Sequence, residues 1–198
     1  MLFRSDRAEA VAAEIGHGAR GLAVDLAHTR SIADALATVA SVDHLVITAI
    51  EQGVNSLKAF DAEHAVKAIT IKLVGYTEVV RVLRPRFAPA ASVVLFGGLA
   101  KERPYPGSTM VTVFNSGVSG LGKTLAVEMA PHRVNAVHPG VVGDSPKWKT
   151  VANHPAIPRT PIGRLVTMDE VADATEFLLR NTGVNAQELF IDGGIQVT

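Results

Sequence analysis

Eight residues of this chain match a pattern that binds phosphate groups. Residues 117–124 read GVSGLGKT, from Gly117 to Thr124, which fits G-x-x-x-x-G-K-[ST]. Such a loop needs a strand before it and a helix after it, so that its backbone N–H groups can surround the phosphate. The β-branched residues 110–114 could form that strand, but only Asp192 is available to hold a magnesium ion. The competing interpretation is a helix whose small residues allow close packing, with Lys123 in solvent.

Other kinds of chemistry are disfavoured by residue types and spacing. The chain has no cysteine, and its seven histidines show no spacing such as H-E-x-x-H, so we expect no metal site. Residues 117–121, GVSGL, miss the G-x-S-x-G pattern of serine hydrolases at the last position. Basic and acidic residues balance at 19 each without a basic patch, which argues against nucleic acid as a partner.

Length and hydropathy indicate one globular domain over residues 1–198. The chain is 47% hydrophobic and 19% charged, and its length allows a real core. No apolar run approaches the roughly 20 residues of a membrane span. Arg4, Asp6 and Arg7 leave no apolar segment of a signal peptide at the start. We therefore expect a cytoplasmic protein without membrane partners.

Short apolar runs alternate with helical patterns along the chain. This alternation predicts an α/β fold with a parallel sheet covered on both faces. Thr29 is the expected cap of the second helix, the third should start at Asp61, and Thr167 opens a capping box with Glu170. The predicted strands are residues 21–26, 42–49, 92–97, 133–137 and 188–192, and the predicted helices are residues 6–15, 30–39, 61–83 and 167–180.

Several segments in this order resemble a short-chain dehydrogenase/reductase. Residues 133–140 (RVNAVHPG), 160–164 (TPIGR) and 190–194 (FIDGG) are close to the family's last strands and their loops. Residues 42–49 (VDHLVITA) stand where the family has a strand ending in Asn-Asn-Ala-Gly. The resemblance implies a Rossmann-like doubly wound parallel sheet and NAD(P)-dependent oxidation or reduction of a small carbonyl or alcohol substrate. It also implies a homo-oligomer.

The same resemblance implies where NAD or NADP would bind. Asp25 is similar to the family's aspartate that touches the adenine ring, and Asp144 and Ser145 lie where a threonine often approaches the nicotinamide carboxamide. His138, next to Pro139, is a further candidate for facing a substrate. The implied cofactor-binding residues are Asp25, Leu26, Ala49, Pro139, Gly140, Val142, Asp144 and Ser145.

The family's catalytic residues are replaced in this chain. In the family a tyrosine transfers the proton, a lysine four residues later lowers the pKa of that tyrosine, and a serine and an asparagine assist. Taking Gly120 and Leu121 as the landmark, the four positions hold Val111, Asn115, Gly98 and Lys72. We therefore expect an impaired or inactive oxidoreductase. The alternatives are a non-catalytic binding or scaffold subunit and a nucleoside-triphosphatase that uses residues 117–124.

The beginning of the chain also departs from the family. The family starts with a strand and a G-x-x-x-G-x-G turn that hold the cofactor's pyrophosphate, and nothing similar precedes Asp6. We expect a sheet incomplete at the N-terminus and weak cofactor binding. Residues 1–5, MLFRS, can be encoded by the end of a common sequencing adapter, so we hypothesise that they are an artefact. Residues 21–25 should then pair directly with residues 42–48, giving the strand order 1-2-3-4-5. Failing that, the first forty residues should be loosely held.

Overall fold

A four-stranded parallel sheet forms the centre of the protein. The computed structural model describes residues 4–51, 53 and 55–198, so Met1 to Phe3 of the proposed artefact lie outside the described residues. The strands lie side by side in chain order and all neighbouring pairs are parallel. This confirms the α/β, Rossmann-like fold. The strands are β1 Val42–Ile47, β2 Phe87–Phe96, β3 Arg133–Pro139 and β4 Glu188–Ile191, and the helices are α1 Arg4–Ile15, α2 Ile32–Ala35, α3 Ala62–Ile69, α4 Tyr76–Leu83, α5 Thr109–Glu128 and α6 Met168–Arg180.

The prediction of a first strand at residues 21–26 is wrong. This segment is irregular and belongs to no sheet in the described part of the chain, so the predicted pairing with β1 and the five-strand order are also wrong. Val24 and Leu26 instead pack against the core beside the helices. Gly21 lies so close to the backbone of α1 that a Cβ there would overlap Ala8. Packing against helices has thus overridden a local preference for extended structure.

The predicted helix at residues 30–39 is much shorter than expected. The chain forms a 3-10 turn, Thr29–Ser31, followed by the four residues of α2. Thr29 is not the cap, because it lies inside the 3-10 turn and makes no capping hydrogen bond. The hydroxyl of Ser31 donates to the carbonyl of His28 instead (2.9 Å).

The predicted long helix at residues 61–83 contains a wider turn in its middle. The helix starts at Asp61 as predicted, and the Asp61 side chain caps α3 by accepting the backbone N–H of His64 (3.0 Å). Residues Thr70–Gly75 then form a π-helix before α4 begins. Such insertions are rare and often mark functional sites, because they re-aim the side chains on one turn. Lys72 and Gly75 lie in this segment.

The phosphate-binding hypothesis for residues 117–124 is excluded by α5. All eight residues lie within this 20-residue helix, so neither the preceding strand nor the loop of a phosphate site exists here. The Lys123 side chain is 67% exposed. Gly117 packs against Leu73 of the π-helix, where a Cβ would come within 2.7 Å of a methyl carbon. The small-residue interpretation is therefore confirmed at Gly117.

Helices cover the two faces of the sheet unequally. One face packs under α2, α4 and α5 around Val93, Leu95 and Val118. The other face carries α6, whose predicted capping box between Thr167 and Glu170 is present. At the β1 edge this second face is poorly covered, so Val46 is 40% exposed. No helix in the described residues is long and apolar enough to cross a membrane.

The contact between Gly75 and Leu26 gives a stability prediction. Gly75→Ala should lower the free energy of unfolding by about 1–3 kcal/mol, because its Cβ would lie 2.7 Å from Leu26 Cβ and 2.9 Å from the Leu26 carbonyl oxygen. Gly120→Ala is the matched control. It meets no atom within 4 Å in α5 and should raise stability by roughly 0.5–1 kcal/mol. Urea denaturation of both variants measures the difference, and equal stabilities would contradict the packing of residues 21–26 on the π-helix.

Candidate functional site

The carboxyl ends of the parallel strands form the edge where ligands bind in such sheets. Ala49 follows β1, Gly97 and Gly98 follow β2, and Gly140 follows β3. The π-helix and the first half of α5 pack against each other beside this edge, through the contact between Leu73 and Gly117. The four positions that the sequence assigns to the catalytic set are carried by these elements.

Gly98 and Asn115, which the sequence analysis assigns to the family's serine and lysine positions, lie close together. A Cβ on Gly98 would lie 2.8 Å from the Nδ2 atom of Asn115. Asn115 is only 3% exposed, and its Oδ1 atom accepts no hydrogen bond from the described residues. The site therefore contains a buried amide oxygen without a partner.

Lys72 is a buried amine without a counter-charge. It is 2% exposed, and its Nζ atom lies 5.2 Å from the ring centre of Tyr76 and 6.0 Å from that of Phe114. Its hydrogen bond goes to the carbonyl oxygen of Ala49 at a long 3.4 Å. None of the described carboxylates lies within 4.0 Å of Nζ. Burial lowers the pKa of Lys72 from 10.5 to about 7, because the charged form is poorly solvated.

The hydroxyl of Tyr76 contacts backbone carbonyls at the carboxyl ends of β1 and β2. Its hydroxyl donates to the carbonyl of Ala49 (2.8 Å), with the carbonyl of Phe96 at 3.4 Å. Burial raises the pKa of Tyr76, so the phenol stays protonated. The sequence analysis missed this residue. The signal was its place four residues after Lys72, which puts both side chains on one side of a helix.

The position that the sequence analysis assigns to the family's tyrosine holds a valine. Val111 lies in the first turn of α5. The chain has two tyrosines. Tyr76 is fully buried in the contacts just described, whereas Tyr105 is exposed in the loop before α5. Neither side chain stands in for the missing proton donor at Val111.

His138 supports the loop after β2 and does not face a substrate. It is completely buried, and its Nδ1 atom accepts the backbone N–H of Gly98 (3.1 Å). The proton of the neutral ring must therefore sit on Nε2, which lies 3.4 Å from a carboxylate oxygen of Glu188. Burial, together with the charge of Lys101, lowers the pKa of His138 to about 4. A Cβ on Gly97 would overlap the His138 ring, which explains that glycine.

A cluster of charged residues lies behind His138. Glu188 pairs with Lys101, and Ser119 both accepts from Lys101 (2.8 Å) and donates to Glu188 (2.9 Å). Sequence reasoning missed this cluster, because its members come from α5, β4 and the loop after β2 and share no spacing motif.

Several of the predicted cofactor residues use their side chains within the protein. Asp25 accepts the N–H of Ala27 (3.0 Å) and pairs with the nearby His28 (3.0 Å). Asp144 accepts the N–H of Met168 at the start of α6 (2.8 Å). Ser145 donates to the carbonyl of Val142 (2.7 Å).

The remaining predicted residues lie near the carboxyl edge of the sheet or the π-helix. Pro139 ends β3, and Gly140 donates its N–H to Ile191 (2.9 Å). Val142 forms a bridge with Val166, and Leu26 packs beside Gly75. Ala49, after β1, lies at the same edge. Cofactor binding by these residues stays a prediction.

The described residues do not fit the pyrophosphate of a dinucleotide. Within residues 4–51, β1 is preceded by α1, by turns and by α2, and by no strand. A strand followed by a glycine-rich turn and a helix is what normally holds this group. The glycines at 16 and 18 follow a helix, so they do not form such a turn.

Comparison with known proteins establishes the family. A family model described as Enoyl-(Acyl carrier protein) reductase matches residues 3–196. L-xylulose reductase from Mesocricetus auratus is 31% identical over 196 residues, covering 91% of this chain and 79% of that protein. The chain therefore belongs to the short-chain dehydrogenase/reductase family.

Two further relatives show how far the similarity extends. The short-chain dehydrogenase/reductase malC of Malbranchea aurantiaca is 29% identical over 78% of this chain, and the match spans 62% of malC, less than two thirds of its length. The crystal structure of 3-ketoacyl-(acyl-carrier-protein) reductase from Brucella melitensis complexed with NADH superposes with a TM-score of 0.85 at 26% identity. That superposition covers 97% of this chain and 84% of the Brucella protein.

The buried amine of Lys72 predicts a pH dependence of stability. Its pKa is about 7 in the folded state and about 10.5 when unfolded, so between these values the unfolded chain binds a proton that the folded chain does not. The free energy of unfolding should therefore rise by about 2–4 kcal/mol from pH 7 to pH 9.5. Lys72→Met should remove this rise, whereas Lys67→Met, which changes an exposed lysine on α3, should keep it. Urea denaturation at several pH values measures the slope, and a flat profile in the unmodified protein would contradict the burial of an unpaired amine.

The contact between Gly98 and Asn115 predicts a coupling between the two positions. Gly98→Ser should cost about 1–2 kcal/mol of stability, because the new side chain meets the buried amide. In an Asn115→Ala background the same change should cost about 1 kcal/mol less. A double-mutant cycle in urea gives the coupling energy, and a value of zero would show that the amide does not fill the serine position.

Proposed function

We propose that this chain is a short-chain dehydrogenase/reductase of the NAD(P)-linked type that cannot carry out tyrosine-dependent turnover. Its ancestral reaction is the interconversion of a small carbonyl compound and an alcohol, in keeping with the L-xylulose reductase and 3-ketoacyl-(acyl-carrier-protein) reductase to which it is similar. The proposal covers a single cytoplasmic domain, residues 1–198, that acts on small molecules and not on nucleic acid.

One observation carries the proposal: Val111 occupies the tyrosine position, with Asn115 one helical turn later. Reduction of a carbonyl needs a proton for the oxygen as hydride reaches the carbon. Valine has no proton to transfer. Asparagine carries no positive charge to lower the pKa of a neighbouring phenol. The phenol of Tyr76 is buried with its proton in a hydrogen bond to the Ala49 carbonyl.

NAD or NADP is the proposed cofactor, with weak binding. When bound, it would supply the hydride, and the protein would place it. Residues Ala49, Pro139, Gly140 and Val142 support an approach of the nicotinamide end to the carboxyl edge. Weak binding is supported by the lack of a strand, glycine turn and helix before β1 in the described residues, since these elements contribute most of the contact to the pyrophosphate.

A non-catalytic scaffold subunit is the second candidate, and it is supported by exposed apolar side chains on the helices. Val66, Val74, Val113 and Val127 are each about half or more exposed on α3, the π-helix and α5. A groove of about 530 Å³ beside the π-helix and α5 is lined by apolar residues and by the polar Thr29, Arg30, Thr77 and Glu78; its apolar residues are Leu73, Val74 and Leu121. Apolar patches of this kind on neighbouring helices favour association, so a homo-oligomer is part of this proposal.

Binding and turnover assays test the proposed function. Titration with NADH and NADPH, followed by nicotinamide fluorescence, should give dissociation constants weaker than about 1 mM, where the binding free energy is only about 4 kcal/mol. Turnover of L-xylulose and an acetoacetyl thioester should stay at background. The Brucella reductase is the positive control for the assay. Micromolar binding with turnover would overturn the proposal, and tight binding without turnover would favour the scaffold.

A further inference from the structure

Lys72 has the surroundings of a reactive amine. It is a primary amine at the carboxyl edge of the sheet, buried between the rings of Tyr76 and Phe114. It has no carboxylate partner among the described residues and only one long hydrogen bond, to Ala49. A lysine that merely stabilises a fold is usually either exposed or paired, because burying an unpaired charge is costly.

A second observation, on the neighbouring helix α5, is a buried hydrogen-bond acceptor without a partner in the described part of the chain. Asn115 follows Phe114, whose ring faces Lys72, and the Oδ1 atom of Asn115 is buried without a hydrogen bond from the described residues. A buried acceptor without a partner costs roughly 1–3 kcal/mol, so such atoms usually have a role or a missing partner. The carboxamide and the amine come from neighbouring elements, α5 and the π-helix, at the same edge of the sheet.

We propose that Lys72 is a nucleophile that condenses with the carbonyl carbon of an aldehyde or ketone to form an imine. The lone pair of Nζ forms the C–N bond, and the carbonyl oxygen gains a proton to give a carbinolamine. Loss of that hydroxyl as water, with loss of the remaining N–H proton, gives the neutral imine. The reaction is a condensation, so no electrons are transferred and no nicotinamide is needed.

The surroundings of Lys72 favour this reaction. Because burial lowers the pKa of Lys72 to about 7, about half of the amine is neutral at neutral pH, whereas an ordinary lysine is neutral in well under 1% of molecules. Lysines desolvated in apolar pockets are activated in this way for covalent chemistry. Ala49, Gly97 and Gly98, at the same edge of the sheet, are only partly buried.

Reductive trapping tests this inference without any cofactor. The full chain is incubated with butanal and cyanoborohydride at pH 7.0, and the butylated lysines are located and timed by peptide mass spectrometry. Lys72 should be labelled at least about 10-fold faster than the exposed Lys67 of α3, because far more of its amine is unprotonated. The Lys72 rate should reach half its plateau near pH 7, while the Lys67 rate still rises above pH 9.

Two controls keep the test decisive. Lys72→Arg retains a cation but cannot form an imine, so the fast phase should vanish while Lys67 is labelled as before. In urea the two lysines should react at similar rates, since the effect depends on burial in the folded protein. Labelling of Lys72 no faster than Lys67 in the folded chain, or a rate difference that survives in urea, overturns the inference. These readouts do not involve NADH. A negative result here would therefore overturn the imine chemistry of Lys72 and leave the proposed function, which is tested by cofactor binding and turnover, unaffected.

Discussion

The hydrogen bond from the Tyr76 hydroxyl to the Ala49 carbonyl fixes the arrangement on which the candidate site depends. It joins the first turn of α4 to the end of β1, with the end of β2 also in reach. The π-helix immediately before Tyr76 adds a wider turn, so Lys72 faces the same carbonyl group. That segment also puts Gly75 against Leu26 and Leu73 against Gly117. One buried phenol thus sets the position of the amine, the neighbouring helix and the segment before β1.

The parts of the fold that the sequence predicted are those with local signals. The capping box at Thr167, the helix start at Asp61 and the apolar strands that became β1 to β4 are each encoded within a few neighbouring residues. Residues 21–26 look equally strand-like, but a strand also needs a partner, and none lies beside them in the described chain. The π-helix has no sequence signal that we recognise. Its existence depends on how α5 and the strand ends pack around it.

The sequence indicated which positions to look at for the candidate site, but it did not indicate the hydrogen-bond partners of their side chains. The Gly120-Leu121 landmark identified Gly98, Asn115 and Lys72, and the contact between Gly98 and Asn115 supports that alignment. The sequence could not show that the side chains of Asp144 and Ser145 are engaged in hydrogen bonds within the protein. Their partners are backbone groups, which every kind of residue carries, so no residue type signals the contact. Nor could it show that His138 supports Gly98 and meets Glu188, since these residues come from different strands.

The outer margin of β1 has a consequence for how the protein behaves in concentrated solution. β1 has one neighbour in the described sheet, so the backbone groups along its other side are not engaged by a strand. Such margins are templates for strands of other molecules, and proteins commonly protect them with short length and charge. Here the strand has six residues, and the polar Asp43 and His44 interrupt its apolar sequence. These two polar side chains disfavour edge-to-edge pairing of β1 with a strand of another molecule.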